Sequence, residues 1–212
     1  MNNNEKLKKR FTGSIMQVIG VLNSGGAEHL FVDICNILYQ NNYNVIGLFT
    51  RRGGPLESNI NSKIKTISLN RKYRWSIFSI LKFIHVSKSY NVIHVHSRHN
   101  LLWVCLITFF DPFKKYKIIF HDHYGIDNDV PYWFYLIKKK IDKYIGVSSN
   151  LRNWAIKELK LKKADCFVLP NIRFLEPMRY LPNRFDKDVV RFVHVANILR
   201  NKNIEFSVKL IE

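Results

Sequence analysis

Short apolar segments alternate with longer segments of helical periodicity along most of the chain. The β-branched segments predict strands, and the segments with apolar residues three and four apart predict helices. The strand candidates are residues 15–22, 43–50, 64–69, 91–97, 115–122, 143–149 and 165–171. The helix candidates are residues 27–41, 74–89, 99–110, 131–140 and 149–160. Strands that are apolar on both faces indicate a parallel sheet with helices on both sides. The predicted fold is therefore α/β, doubly wound, mostly parallel and Rossmann-like.

The alternation stops at residues 172–188, where two prolines and mixed charges without a period are typical of a linker. A further strand (189–196) and helix (201–212) follow it. The sequence therefore predicts a first domain over residues 12–171, a linker or hinge, and the first βα unit of a second domain over residues 189–212. One strand and one helix cannot bury a core, so we expect the rest of that domain to be missing from this chain.

The charge balance is strongly basic. Thirty-four Lys and Arg against 16 Asp and Glu give a net charge of +18, which attracts nucleic acid, phosphorylated substrates or an anionic membrane surface. Three separated cysteines indicate a reducing compartment rather than a disulfide framework. The longest apolar run, residues 101–110, is about half the ~20 residues of a membrane-spanning helix, and no signal peptide is evident. We expect a cytoplasmic protein that can rest on a membrane.

Gly25 and Gly26 lie between the first strand and the first helix. A glycine pair marks an unusual backbone angle, a plain tight turn or a close approach to a ligand. In an open parallel sheet, ligands bind beyond the carboxyl ends of the strands, and bare amides at a helix N-terminus suit phosphate. The pattern is neither the three-glycine dinucleotide fingerprint nor a P-loop.

Histidines gather at the ends of two neighbouring strands, with His94 and His96 on one and His121, Asp122 and His123 on the next. Histidines two apart share a face of a strand, so a metal site is one interpretation, and a metal-dependent hydrolase is a rival function. A second interpretation is general acid–base catalysis by a His–Asp pair, or a hydrogen bond from that pair to a substrate hydroxyl or phosphate. A third is that the histidines only complete their strands. We interpret Asp127 and Asp129 as part of a solvated turn.

Five stretches in order resemble the N-terminal domain of retaining, two-Rossmann-domain (GT-B) glycosyltransferases of group 1 or family 4. They are "GGAEHLFVDICNIL", "NVIHVHSRHNLLW", "IIFHDHYG", "DKYIGVSSNLRNWAI" and "VLPN", and "FVHVANILRNKNIEFSVKLIE" resembles the opening of the second domain. The resemblance implies transfer of a hexose from a nucleotide-diphosphate sugar to a surface glycan or polyprenyl-phosphate-linked acceptor. The pathway implied is capsular, exopolysaccharide or lipopolysaccharide biosynthesis. It implies no metal or other cofactor and no nucleic-acid partner.

The resemblance also implies roles for individual residues. Gly25 and Gly26 would let the first loop approach the donor's diphosphate, and His121 would act as the catalytic residue facing the cleft. Arg200 and Lys202 would bind the diphosphate, although Asn197 stands where the family usually has the Arg. The cleft and hinge residues would be His96, Asp122, His123, Ser148 and Asn171.

The sequence lacks the Glu-x7-Glu pair with which the family's second domain holds the donor. We therefore expect an acceptor-side half that is inactive by itself. A rival of another class is a basic, non-catalytic module that binds nucleic acid or an acidic membrane. Stacking aromatics between basic residues would favour nucleic acid, whereas most aromatics here fall within apolar runs.

Overall fold

Seven strands form one fully parallel sheet in the order β3-β2-β1-β4-β5-β6-β7. They are β1 (Ser14–Val21), β2 (Asn44–Arg52), β3 (Lys65–Ser68), β4 (Val92–His96), β5 (Lys117–Asp122), β6 (Lys143–Gly146) and β7 (Cys166–Val168). Every predicted strand up to residue 171 is thus confirmed, and so is the parallel, doubly wound α/β fold.

The computed structural model describes residues 13–124, 130, 132–171, 193 and 203–210. The chain divides into two compact units, Met1–Phe174 and Leu175–Glu212. The predicted linker (172–188) lies outside the described residues, as does all but residue 193 of the predicted strand 189–196. The domain boundaries taken from the sequence therefore stay predictions.

The helices of the first unit are α1 (Gly26–Gln40), α2 (Ile77–Ser87), α3 (Arg98–Ile107), α4 (Tyr132–Ile137) and α5 (Ser149–Lys157), and α6 (Ile204–Lys209) lies in the second. Short 3-10 turns occupy Pro55–Asn59, Lys138–Lys140 and Lys163–Asp165. The helix predicted over 131–140 is shorter, because α4 ends at Ile137 and a 3-10 turn follows. Among the described helices, none is long and apolar enough to cross a membrane.

Helices cover the sheet on both faces because successive side chains of each strand point to opposite sides. The larger core contains Met16, Val18, Ile93 and Val95 from the central strands, packed with buried side chains of α3, α4 and α5. The smaller core contains Ile19, Val45 and Phe49 together with Phe31 of α1. Consequently α1 and α3 leave the central strands on opposite sides of the sheet.

The strand order reverses between β1 and β4. From β1 the chain proceeds to β2 and β3 on one side, and β4 then starts the other half of the sheet. In open parallel sheets the crevice outside the carboxyl ends at such a reversal is the usual ligand site. The loops that begin after Val21 and after His96 therefore border the candidate site.

Candidate functional site

The parallel sheet carries the described candidate residues to its carboxyl edge. Gly25 and Gly26 follow β1, His96 ends β4, and His121 and Asp122 end β5. Ser148 follows β6, and Asn171 follows β7. Arg200, Lys202, Asn197 and the Asp127–Asp129 turn lie outside the described residues, so their roles stay predictions.

Gly25 and Gly26 have ordinary backbone geometry. Gly25 is the N-cap of α1 with φ −91° and ψ 167°, and no glycine in the described ranges has a positive φ. The explanation by an unusual backbone angle is therefore wrong. A side chain at Gly26 would meet nothing within 4 Å, whereas one at Gly25 would meet the Glu28 carboxylate. The space at Gly26 is open at a helix N-terminus, whose first N–H groups have no partner within the helix.

Four histidines form one cluster on the α1 side of the sheet. The His94 and His121 rings stack at 5.4 Å between centroids, and the His121 and His123 centroids lie 4.2 Å apart. Nδ1 of His96 lies 2.9 Å from Nε2 of His123, and Nε2 of His96 lies 2.9 Å from Oε1 of Gln17. His96 and His121 are fully buried, and His94 is 7% exposed.

Burial keeps these imidazoles neutral. Loss of solvation, followed by the neighbouring histidines, lowers the pKa of His94 to about 3 and that of His121 to about 2. The same causes lower the pKa of His96 well below its usual value. Burial alone lowers the pKa of His123 to about 4. At neutral pH each ring can therefore donate one hydrogen bond and accept one.

Several ring nitrogens in the cluster have no partner. Both nitrogens of His121, Nε2 of His94 and Nδ1 of His123 are buried without a well-formed hydrogen bond. The Leu169 backbone interacts with the His121 ring and raises its pKa, but burial and the neighbouring histidines lower it more. His94, His96 and His121 each offer one nitrogen within 4.8 Å of the others, so they could hold a metal ion. Both nitrogens of His96 already have partners, however, so a metal ion would have to displace Gln17 or His123.

Asp122 lies on the opposite face of the sheet from its neighbour His121. Its carboxylate is fully buried and forms a salt bridge of 3.0 Å with Arg98. The Tyr144 hydroxyl and the Tyr124 backbone N–H donate to the same carboxylate at 3.2 and 3.0 Å. Burial raises the pKa of Asp122, and Arg98 opposes that shift. The interpretation of His121 and Asp122 as an acid–base pair is therefore wrong, because adjacent strand residues face opposite sides.

The remaining described candidates lie at the surface. Ser148 is the N-cap of α5, and its hydroxyl accepts a hydrogen bond from the Leu151 N–H at 3.2 Å. Asn171 is exposed at the end of the described segment. Both positions are compatible with the predicted role at the cleft wall. The hydrogen bond that Ser148 makes in the structure, however, caps helix α5.

Ser97 joins β4 to α3 in a strained conformation, with φ 75° and ψ 147°. Asn100 stabilises this corner, because its amide donates to the His96 carbonyl at 3.0 Å and to the Ser97 hydroxyl at 2.9 Å. The Asn100 side-chain oxygen accepts from Thr50 at 2.9 Å. The sequence reading missed Asn100, Gln17 and Arg98. Gln17 alone had a signal, as an amide in the middle of an apolar strand.

Residues 24–172 match the model of the family named glycosyltransferase family 4, which covers well over half of the chain. The chain belongs to glycosyltransferase family 4. The match includes the Gly25–Gly26 turn, the histidine cluster and the six strands from β2 to β7. No curated protein sequence matches the chain.

Solved structures share the fold at low sequence identity. HepE from Anabaena, solved with UDP and glucose, has a TM-score of 0.59 at 15% identity and covers 75% of this chain. A glycosyltransferase from Rickettsia africae has a TM-score of 0.56 at 21% identity and covers 74%. The lipopolysaccharide outer core galactosyltransferase WaaB has a TM-score of 0.60 at 15% identity and covers 81%. The matched parts are 44%, 42% and 49% of those chains, so this chain spans less than half of each.

Proposed function

We propose that this chain supplies the acceptor-side part of a hexosyltransferase whose donor is a nucleotide-diphosphate sugar. The observation that carries the proposal is the open space at Gly26, at the N-terminus of α1 and beside the reversal of strand order. HepE, a protein of the same fold, was solved with UDP-glucose. The N-terminus of α1 would attract the negative charge of a nucleoside diphosphate bound in this space.

In this proposal the Gly25–Gly26 turn stabilises the leaving diphosphate electrostatically. The first backbone N–H groups of α1 have no partner within the helix, and nothing lies within 4 Å of the place that a side chain at Gly26 would take. Arg200 and Lys202 would add cationic contacts to the same diphosphate. The chemistry then needs no metal, since backbone dipoles and cationic side chains carry the charge of the leaving group.

The histidine cluster is proposed to contact sugar hydroxyls. Neutral imidazoles with unpartnered nitrogens can donate to and accept from a hydroxyl group, and His121 offers two such nitrogens. His121 has no exposed surface, whereas His123 is only partly buried and lies 4.2 Å away between ring centroids. Substrate would therefore reach His121 after His123 moves aside.

The acceptor proposed is a surface glycan or a polyprenyl-phosphate-linked saccharide, in the synthesis of capsular, exported or lipopolysaccharide chains. The protein would act in the cytoplasm at the inner face of the membrane. The support is the family, the net charge of +18 and the anionic nature of lipid-phosphate acceptors.

The Gly26→Val substitution, made in the intact protein that contains these residues, tests the proposal. A β-branched side chain would fill the open space, so transfer from UDP-glucose or another nucleotide sugar should fall about 100-fold or more, with the thermal midpoint nearly unchanged. Gly13→Val is the matched control, because a side chain there also meets nothing within 4 Å and lies before β1, away from the site. Wild-type transfer by Gly26→Val would show that the loop is only a turn.

A further inference from the structure

A basic pocket of about 320 Å³ opens at the carboxyl ends of β2 and β3, next to α2 and α3. Its cationic lining consists of Arg51 at the end of β2 and Arg71, Lys72 and Arg74 between β3 and α2. His99 of α3 also lines it. Trp103 forms part of its wall. No residue of the Gly25–Gly26 turn or the histidine cluster lines this pocket.

The positive charges of this pocket have no anionic counterpart in the described structure. No carboxylate lines the pocket, and none of the salt bridges among the described residues includes its arginines or Lys72. The Arg71 guanidinium lies 4.7 Å from the centroid of the Trp103 ring, and its Nε is buried without a hydrogen-bond partner. Burial, and then the like charges of Arg51 and Arg74, lower the pKa of Arg71. An anion in the pocket would remove this repulsion.

An apolar surface adjoins the pocket along the chain. Tyr73, in the pocket lining, is 77% exposed, and Trp75, Ile77, Phe78 and Leu81 are 57–88% exposed. We call the last four residues the α2 apolar face. Ile77, Phe78 and Leu81 lie on one side of α2, and the exposed Lys82, His85 and Lys88 continue that side. A run of exposed large side chains rimmed by cations is typical of a surface that lies on a bilayer.

We propose that the basic pocket binds the phosphate of an anionic membrane lipid while the α2 apolar face inserts among the lipid chains beside it. The pocket supplies the cations that a phosphate group needs, and the face supplies the apolar contact that a soluble phosphate ester would leave unused. Nucleic acid would meet the cations and stack on aromatic rings, but it would leave the aliphatic Ile77 and Leu81 without apolar partners. This surface is distinct from the proposed transfer chemistry, so it can be tested without any sugar transfer.

The test measures binding of the full chain to vesicles of phosphatidylcholine with or without about one-third phosphatidylglycerol. The pocket variant is Arg51→Glu/Lys72→Glu/Arg74→Glu, and its control is Lys63→Glu/Lys65→Glu/Lys139→Glu. All six side chains are exposed, and both variants change the net charge equally, but the control residues lie outside the pocket. We expect binding to anionic vesicles to fall about 100-fold in the pocket variant and less than about threefold in the control, because each cation near the bilayer contributes severalfold.

A second pair of variants tests the apolar face. Phe78→Ser/Leu81→Ser should weaken vesicle binding at least about tenfold, whereas Phe110→Ser/Phe113→Ser, at comparably exposed residues after α3, should not. Circular dichroism confirms that each variant is folded.

Three results would overturn the proposal. The first is equal binding to neutral and anionic vesicles, and the second is an equal loss in the pocket variant and its charge control. The third is tight binding of inorganic pyrophosphate or single-stranded DNA that the pocket variant abolishes, in a protein that does not bind vesicles. That result would assign the pocket to a soluble anion or to nucleic acid.

Discussion

The side-chain oxygen of Gln17 lies 2.9 Å from Nε2 of His96, and this buried contact sets the hydrogen positions of two histidines. An amide oxygen only accepts, so Nε2 of His96 carries the hydrogen and Nδ1 is free to accept. The ring of His123 then donates from Nε2 to Nδ1 of His96 across 2.9 Å. Nδ1 of His123, which has no partner, is then an acceptor. It lies at the partly exposed end of the hydrogen-bonded series Gln17–His96–His123.

Gln17→Glu should raise the pKa of His96, because a carboxylate at the position of the amide oxygen favours the charged imidazole. Nitrogen NMR of the ring measures this directly as a function of pH. Gln17→Leu is the control without a charge. It should leave the His96 ring neutral and lower the free energy of unfolding by about 1–3 kcal/mol, since it strands a buried N–H. A His96 ring equally neutral in Gln17→Glu would show that the Gln17 contact does not govern its charge.

Stability should fall as the pH is lowered from 7 to 5. The pKa values of His94 and His121 are lowered to about 3 and about 2 in the folded chain, whereas unfolded histidine titrates near its usual value of 6.5. The unfolded state therefore binds more protons throughout this range, and its protonation favours unfolding. Each such histidine costs about 2 kcal/mol at pH 5 relative to pH 7.

Urea unfolding at the two pH values measures this loss. His94→Leu removes one of the titrating groups, so its stability should depend less steeply on pH than that of the wild type. A wild-type free energy of unfolding that stays constant between pH 7 and 5 would show that these histidines are solvated in the folded protein.

Asp122→Asn should destabilise the fold by about 3 kcal/mol, because it leaves Arg98 without the carboxylate at 3.0 Å in a buried setting. The double variant Arg98→Met/Asp122→Asn should recover part of this loss, which a double-mutant cycle in urea measures.

Measuring both stability and sugar transfer of Asp122→Asn also tests the cleft role that the sequence predicts for Asp122. A variant with wild-type stability but no sugar transfer would support that role over the structural one.

Glu28→Gln should tighten the binding of a nucleoside diphosphate severalfold. The Glu28 carboxylate lies against Gly25 at the N-terminus of α1, so it repels an anion that enters the open space at Gly26. The same substitution should cost up to about 1 kcal/mol of stability, because it removes a favourable charge at the helix N-terminus. Calorimetric titration with UDP measures the affinity, and unchanged or weaker binding would place the diphosphate elsewhere.

The sequence predicted the strands well, because buried parallel strands such as β4 and β5 are continuous apolar runs separated by helical periods. It also predicted that Gly26, His96 and His121 share one edge, since parallel strands end on the same side. It did not exclude a His121–Asp122 pair, although the two-residue period of a strand already sets Asp122 and His121 on opposite faces.

The basic pocket could not be predicted in the same way. It depends on contacts between Arg71 and Trp103, which lie far apart in the chain and meet only after β3, α2 and α3 have packed. The Gly25 backbone angle was likewise beyond the sequence, because a glycine pair is compatible with ordinary and unusual angles alike.

Zinc ions should leave the thermal midpoint of the protein unchanged within about 1 °C. His94, His96 and His121 offer nitrogens within 4.8 Å of one another, but both nitrogens of His96 already have partners at 2.9 Å, namely His123 and Gln17. A zinc ion bound to His96 would have to break one of these two contacts. The measurement compares thermal unfolding with equimolar Zn²⁺ and with a chelator, in the wild type and in His94→Ala. A Zn²⁺-dependent rise of several degrees that His94→Ala abolishes would contradict this expectation and favour the metal-dependent hydrolase that the histidine pattern also suggested.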